Sequence, residues 1–188
     1  MRVTQDDGRE VRQIKLFKLK AGKGRSNRYT SDATKTVNGK TYVLELKSCD
    51  AAKGQISTSR EFGEEKIKDW ETNDGFLFSQ FKKTKDGFEF VRHVFCTPEQ
   101  LRPFFDKQIE KQKAGVADRA GLDEWAEVGE LLVETVGREK AERLEKTFKR
   151  GTRLNDPRLS WKKVEKWGTL LSADDPHGHL KKILTQEK

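Results

Sequence analysis

Leu44 and Leu46 alternate with Glu45 and Lys47, the period-two pattern of a strand with one apolar and one polar face. Just upstream, Asn38-Gly39 is the strongest two-residue hairpin signal a sequence can carry. Together they predict a hairpin with strands over 29–37 and 40–48. Before it, Val11, Ile14, Leu16, Phe17 and Leu19 fit either a short helix or a strand over 9–20. Residues 21–28 form a Gly-rich basic loop without the spacing of a nucleotide-binding loop. After the hairpin, Thr58-Ser59-Arg60-Glu61 matches a capping box, and Phe62, Ile67 and Trp70 predict a helix ending near Asn73. Two strands follow, 76–82 and 88–96, joined by a turn at Lys85-Asp86-Gly87. Thr97-Pro98-Glu99-Gln100 opens a further helix with a cap, a proline in the first turn and a glutamine three residues after the threonine. Leu101, Phe104, Phe105 and Ile109 give that helix a buried stripe.

From about residue 118 onward the spacing is helical throughout. Leu122, Trp125, Val128, Leu132 and Val136 form one stripe; Ala141, Leu144 and Phe148 a second; Trp161, Val164, Trp167 and Leu171 a third. The order predicts an α+β fold, with a mixed sheet flanked by helices. It divides into a core over 1–115 and a helical C-terminal region over 116–188 packed on the same domain. There is no internal repeat and no low-complexity linker.

The hairpin register carries the candidate chemistry. With Asn38-Gly39 as the loop, cross-strand partners have numbers summing to 77, so Asp32 faces Glu45 with Cβ atoms about 4.5 to 5.5 Å apart. Like charges in that position destabilise a sheet, and a divalent cation would offset the repulsion. Lys47 lies on the same face, while Leu44 and Leu46 turn to the other side and enter a core. Two opposed carboxylates are hard oxygen donors of the kind Mg²⁺ prefers.

Composition sharpens this picture. Hydrophobic residues make up 33% of the 188 and charged residues 37%, so the core is compact and the surface heavily charged. The net charge of +8 is uneven: residues 1–28 and 138–167 each carry +6, and residues 29–137 carry −4. Basic flanks around an acidic middle suit a polyanion gripped from the sides while the centre holds a cation, although a solvated basic protein has the same balance. Arg25 and Arg28, on the Gly-containing loop before the hairpin, are candidate contacts to the backbone of such a polyanion, or equally solubilising charge. Cys49 and Cys96 are too few and too far apart for a zinc site and read as reduced, structural thiols. His93 falls in a strand, and His177 and His179 read as a surface turn. The absence of a long apolar run or a signal sequence predicts a soluble, cytoplasmic protein with no membrane partner.

Asp32, a twelve-residue spacer and then Glu45-Leu46-Lys47, on a hairpin followed by a helix and further strands, resembles the PD-(D/E)xK nuclease superfamily of restriction-endonuclease-like fold. The resemblance spans about residues 10–97, with Ser31 where that motif often has proline. It implies a Mg²⁺-dependent endodeoxyribonuclease, with Mn²⁺ able to substitute, acting on double-stranded DNA. In this reading Asp32, Glu45 and the Leu46 backbone carbonyl are metal ligands, Glu10 completes the metal site, and Lys47 positions or helps deprotonate the attacking water. Lys53, Gln55, Ser57, Ser59 and Arg60 would contact DNA, though Ser57 and Ser59 equally suit helix capping. A type II restriction enzyme working as a homodimer on a palindrome is the leading expectation, with the C-terminal helices serving dimerisation or DNA contact. The alternatives are a repair nuclease of the Holliday-junction resolvase kind, or a non-catalytic basic nucleic-acid-binding protein.

Overall fold

Asn38 and Gly39 both take positive φ, 50° and 81°, the backbone that a tight two-residue hairpin turn requires. The turn fixes the register of β2 (Ala33–Val37) against β3 (Lys40–Asp50), with Val37 opposite Lys40 and Ala33 opposite Leu44. These pairs have the expected sum of 77. The computed structural model describes residues 5–22, 32–58, 64–110, 137–140 and 157–186. Phe62, the stripes of 122–136 and 141–148, and the candidates Arg25, Arg28, Ser59 and Arg60 lie outside the described residues.

The ambiguous segment before the hairpin is a helix, α1 (Gln5–Leu16), followed by a two-residue strand, β1 (Lys20–Ala21), at the sheet edge. Lys18, at φ 49°, turns the chain out of the helix. Beyond β3, β4 (Gln55–Ser57) leads towards α2 (Glu64–Glu71), and β5 (Gly75–Thr84) and β6 (Gly87–Cys96) follow. β5 runs parallel to β3, as a helical crossover requires. Asp74 locks that pairing from both sides: its Oδ2 accepts from the Val43 amide at 2.7 Å, and its own amide donates to the Val43 carbonyl at 2.9 Å.

The Thr97 box forms as the spacing predicts. The Thr97 amide donates to Gln100 Oε1 at 2.9 Å and the Gln100 amide to Thr97 Oγ1 at 3.4 Å, opening a helix, α3, over 98–110. The C-terminal segment departs from the all-helical expectation. It contains β7 (Arg158–Ser160), α4 (Trp161–Trp167), β8 (Thr169–Leu170) and α5 (Pro176–Gln186). β7 pairs with β4, and β8 pairs with β6. Leu171 therefore does not extend the α4 stripe; it lies beyond a strand and is buried on another layer.

The result is a mixed α+β fold. Its six-stranded sheet has the order β1-β2-β3-β5-β6-β8 and is covered on both faces. Phe17, Leu44, Leu46, Leu77, Phe95, Leu180 and Leu184 form one core, beneath α1 and α5. Ile67, Trp70, Phe76, Phe78, Leu101, Phe105, Trp161 and Val164 form the other, beneath α2, α3 and α4. Gly75 marks how closely the strands approach, because a Cβ there would stand 2.3 Å from the Phe95 ring.

Candidate functional site

Asp32 stands one residue before the first paired position of β2, so its side chain is released from the ladder while its backbone stays anchored. Its carbonyl accepts from the Gly22 amide at 2.9 Å, and its Oδ2 accepts from the Leu46 amide at 2.8 Å. Glu45 and Lys47 follow on β3, on the polar side of the Leu44 and Leu46 alternation. The Lys47 ammonium lies 2.5 Å from Glu45 Oε1, 3.6 Å from Asp32 Oδ2 and 3.2 Å from the Leu46 carbonyl. Trp70 of α2 flanks it, with Nζ 5.4 Å from the ring centroid. Hairpin register thus brings Asp32, Glu45, Lys47 and the Leu46 backbone to one point.

Burial sets the electrostatics. The Glu45 side chain is 9% exposed, Lys47 17% and Asp32 26%, so the centre opens on its Asp32 side. Burial raises the Glu45 carboxyl above its ordinary range, with Asp32 adding to the rise, while Lys47 and Lys66 of α2 oppose it. Burial alone would lower the Lys47 ammonium, but Glu45 and Asp32 outweigh it and hold its pKa above the ordinary value. The repulsion between the facing acids is therefore offset within the chain, by Lys47, and does not by itself require a metal.

The donor set still suits a hard divalent cation. Two carboxylates and a backbone carbonyl are all oxygen, and Mg²⁺ commonly takes one or two carboxylates while keeping several waters. Glu10, the expected additional ligand, is half-buried on α1. Among the described residues no three His, Cys, Asp or Glu side chains are grouped to hold a metal ion, so Glu10 is not gathered with the hairpin acids. Lys53 lies in the exposed turn after β3. Gln55 and Ser57 are exposed on β4, on either side of the buried Ile56.

Gln13 is a residue that the spacing argument missed. It is 1% exposed on α1, and its Nε2 donates to the Lys47 carbonyl at 3.3 Å, the Leu77 carbonyl at 3.2 Å and Ser79 Oγ at 2.8 Å. Ser79 in turn lies 2.8 Å from His93 Nδ1. Burial lowers the His93 pKa to about 4, so the ring is neutral. This chain clamps α1 to the strand carrying Lys47. Its signal was available: Gln13 is a polar residue four positions from Phe17, on the apolar face of a helix. Lys66 was likewise passed over, although it sits one position before Ile67, at the front of the helix that covers the centre.

His177 and His179, expected in a surface turn, are half-buried in the first turns of α5. Cys49 and Cys96 are buried and free, their thiols pushed up by burial to about 11 and about 12. Among the described residues no helix is long and apolar enough to cross a membrane. No protein-family model matches the chain, and no curated protein matches it.

Proposed function

We propose that the chain is a Mg²⁺-dependent endodeoxyribonuclease of the PD-(D/E)xK kind, acting on double-stranded DNA, with a homodimeric type II restriction enzyme as the specific form. One observation carries the reading. The hairpin brings Asp32, just before β2, together with Glu45 and Lys47 of β3, ahead of the α2 crossover to the parallel strand β5. That is the order in which the resembling superfamily builds its centre.

The roles follow from position. Asp32, more exposed and fixed by the Leu46 amide, faces the open side and would hold a cation there. Glu45 holds the inner side. A bound Mg²⁺ would supply charge neutralisation on the phosphate and a water of lowered pKa. Lys47, kept protonated by the two acids, orients the attacking water and steadies charge that develops on the phosphoryl oxygens. Lys53, Gln55 and Ser57 are the described candidates for DNA contacts beyond the centre.

A second reading rests on the same distances: Lys47 between two carboxylates is also a complete ion triad that could serve structure alone. Digestion of plasmid and genomic DNA with Mg²⁺ separates the two. The expected result is cleavage by the wild type, suppressed by chelator and reduced at least about a hundredfold in Asp32→Ala and Lys47→Ala. Equal digestion by wild type and both variants would remove these residues from the reaction. Binding without any cleavage would favour the non-catalytic reading. Discrete fragments indicate restriction, whereas cutting confined to branched DNA indicates a resolvase.

A further inference from the structure

Lys35 stands in the middle of β2, on the sheet face opposite the Asp32 centre, and is 5% exposed. A buried ammonium is ordinarily matched by a carboxylate, because a charge taken out of water is costly unless paired. Among the described residues Lys35 has no such partner. Its Nζ lies 2.7 Å from the Phe17 carbonyl and 3.1 Å from His177 Nδ1, and that Nδ1 lies 2.9 Å from the same carbonyl. The carbonyl takes one of three ammonium protons. An Nδ1 that donates to this oxygen has no lone pair left for a second.

The surroundings add charge of the same sign. Lys18 directly follows Phe17, and Lys181 stands one helical turn after His177 on α5, on the same side. Both are exposed. Burial, then Lys18, then Lys181 lower the Lys35 pKa, and no acid among the described residues opposes them. Asp175, the acid nearest in sequence to His177, is engaged with the Gly178 amide at 2.8 Å. Capping of the α1 end explains the two bonds to the Phe17 carbonyl. It does not explain why Lys18 and Lys181 gather there, nor what receives the remaining Lys35 protons.

We infer that Lys18, Lys35, His177 and Lys181 form an anion site for a phosphoryl group. A tetrahedral oxyanion offers oxygens in several directions to donors that arrive from the turn after α1, from β2 and from α5, whereas a carboxylate offers two in one plane. Lys35 is three residues along β2 from Asp32, about 10 Å, and on the other face, so the site is separate from the candidate cleavage centre. It does not depend on the nuclease reading.

The test uses the full chain, with thermal unfolding and ³¹P NMR during titration with inorganic phosphate, against sodium chloride at matched ionic strength. The expected result is a phosphate-dependent rise in Tm and a broadened phosphate resonance. In Lys18→Ala/Lys181→Ala, which alters only exposed side chains, phosphate should bind at least about tenfold more weakly. No phosphate effect beyond that of chloride, or an effect undiminished in the double variant, overturns the site. Two further arms identify the source: displacement of phosphate by an unphosphorylated duplex assigns the group to a nucleic-acid backbone, and retention of phosphate in the presence of the duplex assigns it to a free phosphate compound.

Discussion

Lys47 neutralises the facing acids, and in the proposed reaction it is also the cation that meets the phosphate. Replacing it separates these roles. Lys47→Met removes the counter-charge bonded to Glu45 and nearest Asp32, and breaking such a buried pair costs about 3 to 5 kcal/mol. If the acids accept a divalent cation, Mg²⁺ should restore part of that loss, raising the Tm of Lys47→Met more than that of wild type. Calorimetry with and without Mg²⁺ measures this, and an unchanged Tm in both proteins counts against a metal centre. His93 permits a second prediction. Its ring has a pKa of about 4 in the fold against an ordinary 6.5, so below pH 6.5 the unfolded chain takes up a proton that the folded one refuses. Stability should fall as pH drops from about 6.5 towards 4, by about 3 kcal/mol in all. His93→Gln, which retains a partner for Ser79 without titrating, should lack this segment in urea unfolding measured across that range.

At the scale of elements, what the sequence made legible were the features with local causes. Asn38-Gly39 dictated the hairpin register because two positive φ angles leave little alternative, and Thr97 with Gln100 dictated a helix start because both ends of the box are within four residues. The Asp32, Glu45 and Lys47 placement was legible for the same reason: it is a consequence of that register. Features with distant causes were not legible. Gln13 acts through acceptors 34 to 66 residues away. β8 exists because Thr169 and Leu170 meet the free edge of β6, and Leu171 reached its core by that route rather than by helical spacing. The edge contact can be tested at Gly168, where a Cβ would lie 2.6 Å from the Phe95 carbonyl and 2.4 Å from Cys96 Sγ. Backbone on one side prevents easy relief, so Gly168→Ala should destabilise by about 1 to 3 kcal/mol. Loss of amide-exchange protection should concentrate at β8 and the Leu171 amide, which donates to the His93 carbonyl at 2.9 Å.

Across the whole molecule, charge arrangement governs how a polyanion would be met. A net +8 is gathered in two flanking segments of +6 each around a middle of −4, and the facing acids of the hairpin contribute to that negative middle. DNA would be attracted by the flanks and repelled at the centre until a cation intervenes. Asp32→Ala removes one of the repelling charges while leaving every lysine and arginine in place. It should therefore lose cleavage yet bind duplex DNA in chelator as tightly as wild type or more tightly. Its affinity should fall with salt along the same log–log slope, because the number of phosphates neutralised, at about 0.9 per contact, is unchanged. Fluorescence anisotropy at several salt concentrations measures both quantities. A shallower slope for Asp32→Ala would mean that the substitution disturbed the cationic surface itself, and an affinity indifferent to salt would exclude backbone phosphates as the main contact.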